Sequence, residues 1–341
     1  MPSLNGITTQ EEELRGCHVT TLDVQTEDAA ASLGKAVGSY ITIDTAALSD
    51  EHEQIECAGE CLAEILVRVL GPHFHGKLCV CGLGNRELPA DSLGPEVTSR
   101  LPLNLIQLAQ GYDCRFREVC SFTPGVFGIN NVRTDTLVAG AVQAMGADCL
   151  LLVDSLVTLE PAKLFKSIQI STAGGTKSFF SDKVGNWTSL GIPVISLGVP
   201  TAIPMKSLCP SELQDDKLFT STMAASEVSA LGIILSYALI RVCWPSITRD
   251  ECFLLTKISK DPLPYGFLCP LDGADSSAED RQKLITDTAR SFPAGIPSEQ
   301  LDSFIKSKGD QKTCPKTNRR FAGGKEKNLT EALSQWKNPS K

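Results

Sequence analysis

Two hydrophobic periods run along the chain. LCVCGL (78–83), DCLLLVDSL (148–156) and IPVISLGV (192–199) are nearly unbroken apolar runs, the pattern of strands buried on both faces of a sheet. HVTTLDV (18–24), YITIDTA (40–46), CRFREVCSF (114–122) and FKSIQIS (165–171) carry shorter β-like patterns. Elsewhere apolar residues recur three and four apart: Leu62, Ile65, Leu66, Val69 and Leu70, then Leu137, Val138, Val142 and Met145. That spacing predicts helices over 57–70 and 133–145, and a further helical segment is predicted over 217–243. Strands alternating with helices predict an α/β fold, a mostly parallel sheet flanked by helices.

The same reading divides the chain. Residues 1–16 form an acidic N-terminal leader, 17–245 the α/β domain, and 246–341 a C-terminal extension where the pattern fades. From about residue 303 the extension is rich in Lys, Arg, Gly and Asn and is expected to be weakly ordered. The first residues carry neither a basic nor an apolar signal segment. The greasiest run, VSALGIILSYALI (228–240), falls short of the ~20 apolar residues a bilayer needs and is read as a buried helix.

Composition sharpens this only in places. With 42% hydrophobic residues over 341 positions, the chain can bury a sizeable core. A net charge of −8 argues against binding driven by nucleic-acid phosphates. The 13 cysteines, an odd number with no small-scaffold spacing, are expected to be reduced core residues in a cytosol.

Candidate chemistry gathers after the predicted strands. GLGNRELPADSLGP (82–95) follows one buried strand, and its turn is dense in residues that supply unusual backbone angles. Asp91 lies in that loop, and Asp154 ends the run LLLVD. In open α/β sheets the crevice beyond the strand carboxyl ends is the binding site, so the two carboxylates can converge there. Held close, such a pair shares a proton; the ionised member activates a water and the protonated member serves as acid. The bland alternatives are an N-cap for Asp91 and a turn cap or ion pair for Asp154. SFTPGVFGINN (121–131) and SLGVPTAIP (196–204) are read as two further strand-end loops on the same rim. GLGNR matches neither dinucleotide nor P-loop spacing, and no GxSxG elbow is present. His73 and His75 form an HxH pair, but such residues more often flank a strand start. No metal or other cofactor is expected.

At these segments the chain resembles the germination protease family of spore-forming bacteria. The matching pieces are VTTLDV, GKAVGSYITID, CGLGNRELPADSLGP, SFTPGVFGINNVRT, LLLVDSL, SIQIS and VGNWTSLGIPVISLGVPT. They occur in the family's order over about residues 17–210. The resemblance implies an atypical aspartic endopeptidase with an α/β fold related to hydrogenase maturation peptidases. It assigns catalysis to Asp91 and Asp154. The matching loops mark Asn85, Arg86, Thr123, Gly125, Gly128 and Asn186 as substrate-contact or loop-support positions. It further implies small acid-soluble spore proteins as substrates, no direct contact with nucleic acid or membrane, a homotetramer made as an inactive precursor, and a cytoplasmic setting in the spore core.

The chain departs from the family pattern in three places. Pro89-Ala90 replaces a Thr-Pro before the first aspartate, Asn130-Asn131-Val132-Arg133-Thr134 replaces T-G-x-E-T, and TAGGTKSFFSDK (172–183) replaces a Gly-rich loop. Two other readings follow from the same residues. One is a non-catalytic relative that binds or scaffolds spore proteins; the other is a metal-linked maturation peptidase.

Overall fold

The computed structural model describes residues 6–45, 51–71, 74, 76–101, 118–174, 187–208, 217–245 and 247–258. They build one nine-stranded mixed sheet with helices on both faces. The strands are β1 (Ile7–Leu14), β2 (Cys17–Val24), β3 (Gly38–Asp44), β4 (Leu78–Gly82), β5 (Val119–Phe122), β6 (Cys149–Val157), β7 (Ser167–Ser171), β8 (Val194–Pro204) and β9 (Leu218–Phe219). Their order is β1-β2-β3-β7-β8-β6-β4-β5, with β9 pairing β8.

The expected α/β class is present, but parallel pairing is confined to β5-β4-β6-β8. The other half, from β8 through β7 and β3 to β1, is antiparallel. The reason is partly local. Leu14 pairs with Cys17 across a two-residue turn whose central residues, Arg15 (φ 54°) and Gly16 (φ 79°), both have positive φ. That geometry closes an antiparallel hairpin. It also corrects the reading of residues 1–16 as a leader apart from the α/β domain, because residues 7–14 form β1 of its sheet. Six of the eight β1 residues are exposed, so no hydrophobic period betrays the strand.

The helices are α1 (Glu27–Leu33), α2 (Glu51–Leu70), α3 (Leu93–Ser99), α4 (Phe127–Asn130), α5 (Thr134–Met145), α6 (Met205–Leu208), α7 (Ala224–Cys243) and α8 (Arg249–Ile258). Helix α7 starts later than the predicted 217–243 segment, because Leu218 and Phe219 pair with Pro204 and Ile203. Residues 127–130, read as loop, make the single turn of α4.

Strand alternation sorts the central side chains. Leu151 and Val153 of β6, with Ile195, Leu197 and Val199 of β8, pack under α2, α3, α7 and α8. Leu150 and Leu152 turn to the opposite face, against Val138 and Val142 of α5 and Trp187. Helix α7 is long and apolar enough to cross a membrane by length and composition, and longer than the apolar run suggested. In this fold it is a core helix: Leu235, Ala238, Leu239 and Ile240 are fully buried against α2 and α3. Each such large apolar side chain contributes roughly 1.5–3 kcal/mol. Helix α8 lies within the stretch read as an extension, yet Cys252 and Leu255 are fully buried in the same core. The nine cysteines among the described residues are thiols outside any disulfide, seven of them buried.

Candidate functional site

The parallel strands β8, β6, β4 and β5 present their carboxyl ends along one edge. Strand β4 stops at Gly82, paired with Val153, whereas β6 runs on to Val157. Asp154 is therefore the first β6 residue that β4 no longer covers. The segment 83–92 fills that position. It continues the ladder by one bond, Leu83 N–H to Val153 O at 2.8 Å, and then turns away.

The turn is built by its own backbone. Gly84 has φ 116°, and a Cβ there would lie 2.0 Å from the Asp91 carbonyl oxygen, so only glycine fits. The Asn85 N–H is shared between that carbonyl and Asp91 Oδ2, both at 2.9 Å. The Asn85 side chain accepts from Glu87 N–H at 3.0 Å, an Asx turn that fixes the local bend. A 3-10 turn, Pro89–Asp91, follows and packs against α7, β6 and β8. Helix α3 then begins so close to the sheet that a Cβ on Gly94 would meet Leu83 O at 2.2 Å and Val153 O at 2.6 Å.

Both aspartates are buried, Asp91 to 3% exposure and Asp154 to 7%. Asp91 Oδ1 has no hydrogen-bond partner. Burial pushes the Asp91 carboxyl from 3.8 up to about 6, against the opposing effect of the Asn85 N–H. Asp154 Oδ1 accepts from Ser155 N–H at 2.8 Å. By alternation its side chain is on the Leu152 face. There its negative charge adds to burial in raising the Cys81 thiol. Each carboxylate is thus held by its own segment, on neighbouring strand ends of one sheet edge, and no hydrogen bond joins Asp91 Oδ1 to Asp154.

The remaining site candidates divide. Asn85 supports Asp91 through its backbone. Thr123 Oγ1 lies 2.8 Å from Thr98 Oγ1, tying the loop after β5 to α3. Gly125 has φ 72° at the bend of that loop. Gly128 lies in α4 and, like Arg86, is exposed. Asn186, with His73 and His75, lies outside the described residues. Among the described residues no group of three or more His, Cys, Asp or Glu is arranged to hold a metal ion. The reading of 196–204 as a loop is corrected: these residues belong to β8, which pairs with β6 and β9 over this stretch.

Thr201 was missed by reasoning from sequence. It is fully buried, and its hydroxyl donates to the Ala90 carbonyl at 2.6 Å. Ser155 and Ser196 are also buried near this edge, each with an unpartnered hydroxyl oxygen. Nothing in their spacing sets these residues apart from ordinary strand residues.

Fold and site define an α/β protein with two buried acidic groups at adjacent strand ends. The chain belongs to the germination protease family, whose sequence pattern matches residues 2–214. It is 31% identical over 211 residues to the germination protease of Caldanaerobacter subterraneus subsp. tengcongensis, covering 58% of this chain and 63% of that one. It is 28% identical over 215 residues to the germination protease of Priestia megaterium, covering 60% and 58%. Against that of Clostridium perfringens the identity is 31% over 205 residues, covering 57% and 61%. The chain therefore spans about six tenths of the length of these relatives. Among solved structures, a NiFe hydrogenase maturation protease from Thermococcus kodakarensis aligns with 15% identity and a TM-score of 0.31, over 51% of this chain and 98% of that one.

Proposed function

We propose that the chain is an endopeptidase that hydrolyses peptide bonds through Asp91 and Asp154, without metal or covalent intermediate. The observation that carries this reading is Asp91 itself. It is a buried carboxyl with one oxygen fixed by Asn85, the other without a partner, and an affinity for protons raised to about 6. Such a group holds its proton into the range where an ordinary aspartate has lost it, so it can protonate a leaving amine. Asp154, on the adjacent strand end, takes the complementary part and activates a water lying between the two. The tightly bent 83–92 segment holds Asp91 in place as charge develops.

Family membership supports the coarser part of this proposal, a protease. The finer parts rest on the resemblance of the motifs. They are small acid-soluble spore proteins as substrate, a precursor that is processed, a tetramer, and work in the spore core. The test is incubation of the purified chain with a small acid-soluble spore protein, with fragments read by mass spectrometry. Discrete fragments are expected from the parent protein. Asp91→Asn and Asp154→Asn should each lower the rate by about 10²- to 10⁴-fold, the range for losing a general acid or base. Unchanged cutting by both variants would end the proposal.

A further inference from the structure

The β6-β8 ladder slips once. Leu156 pairs with Pro200, and the next β6 residue, Val157, pairs with Ala202. Thr201 is the residue left over, at a β-bulge. Bulges bend a strand locally and re-aim one side chain, and they recur beside active sites. Strand β8 is held on both sides of Thr201: Phe165 N–H, in the stretch leading into β7, donates to Pro200 O at 2.8 Å, and Thr158 N–H, just past β6, to Ala202 O at 3.0 Å. The bulged residue is therefore held, not loose.

The side chain of Thr201 meets the turn that carries Asp91. Its hydroxyl is fully buried and donates to Ala90 O at 2.6 Å across 111 positions of sequence. Thr201 is itself held, because Thr220 Oγ1 donates to the Thr201 carbonyl at 2.6 Å. A chain of two hydroxyls thus runs from the segment just before α7, through the β8 bulge, to the peptide bond joining Ala90 and Asp91. Ala90 O is the acceptor one atom before the Asp91 amide nitrogen, so fixing it fixes the plane from which the Asp91 side chain departs.

We propose that Thr201 is a positioning residue for Asp91, the bulge in β8 existing to bring its hydroxyl to the Ala90 carbonyl. The inference rests on the peptidase reading for its effect on rate, but not for the contact itself. A misplacement of about 1 Å at a catalytic group can cost ~10²-fold in rate. A methyl in place of the hydroxyl leaves the Ala90 carbonyl without its donor and frees the turn.

Two measurements on the full chain separate the contact from the activity. In Thr201→Val, hydrogen–deuterium exchange read by mass spectrometry should rise in peptides spanning 83–92 and stay at parent levels in β2 and β3. Thr201→Ser should keep the parent pattern. In spore-protein cleavage, Thr201→Val should lower kcat by roughly tenfold or more with KM within about twofold, and Thr201→Ser should recover most of kcat. If the parent chain cleaves nothing, the peptidase reading fails while the exchange measurement still decides the contact. Exchange over 83–92 unchanged in Thr201→Val, or raised equally throughout the sheet, overturns the proposal. So does loss of kcat that serine does not restore. Should the valine variant not fold, Thr201→Ala is read by the same criteria. If neither folds while Thr201→Ser does, the hydroxyl serves the fold and not the turn, and the inference is likewise overturned.

Discussion

Asp91 ties a measurable property to a single atom. Its Oδ1 is buried without a partner, and the group ionises near 6 in the folded chain against 3.8 for an ordinary aspartate. Between those values the folded chain keeps a proton that the unfolded chain has released, so stability falls as pH rises. This contribution is complete below about 3.8 and lost above about 6. At about 1.4 kcal/mol per unit it amounts to about 3 kcal/mol. Urea unfolding of the parent chain and of Asp91→Asn at pH 4 and pH 7 checks it. The parent should lose about 2.5 kcal/mol more than the variant over that interval, most of the full contribution, and equal losses would deny the buried carboxyl its role. The places of Asp91 and Asp154 were legible in the sequence: Asp154 directly follows the apolar run LLLV, and Asp91 lies in the turn-dense segment after another buried strand. Thr201 was not: its partner is the backbone oxygen of Ala90, and a hydroxyl that acts through a distant carbonyl leaves no local trace.

Among the elements, α3 sets the geometry most tightly. Its first turn lies directly on β6 and the end of β4, and a Cβ on Gly94 would come within 2.2–2.6 Å of three backbone atoms of Leu83 and Val153. Backbone cannot yield as a flexible side chain can. Gly94→Ala should therefore destabilise the chain by about 1–3 kcal/mol, despite alanine's better helix propensity. Denaturant midpoints give the cost, and a variant at least as stable as the parent would contradict this packing. Strand β4 and the first part of β6, residues 149–153, could be read because they are buried on both faces and apolar throughout. Strand β1 could not, since solvent on both sides permits Gln10, Glu11, Glu12 and Glu13. The second half of β8 reads as a loop because Gly198 and Pro200 punctuate it, yet the pairings with β6 and β9 hold it in the sheet.

At the scale of the whole molecule, the folded unit reaches past the part that matches the family. The match ends at residue 214, while α7 and α8 supply one wall of the main core. Two buried polar links secure that wall. Tyr237 Oη donates to Glu60 Oε1 at 2.7 Å, joining α7 to α2. The buried Arg100 donates to Ser229 Oγ at 2.8 Å and to Glu96 Oε1 at 2.6 Å, joining α3 to α7. Leu255→Ala, in the region read as an extension, should then cost about 2–5 kcal/mol. A cost below about 0.5 kcal/mol would mean that α8 stands outside the cooperative unit. The amphipathic spacing of α2 was plain in the sequence, whereas α8 is a ten-residue helix whose side-chain pattern is too short to separate from its surroundings.

The central claim is that a proton held on Asp91 takes part in peptide-bond hydrolysis. Its most direct test is the pH dependence of kcat/KM for cleavage of a small acid-soluble spore protein, which reports the ionisation of essential groups in the free enzyme. With Asp91 as the acid, kcat/KM should fall as pH rises through about 6, approaching tenfold per pH unit beyond it. A kcat/KM that stays level from pH 5 to pH 8 would contradict the account.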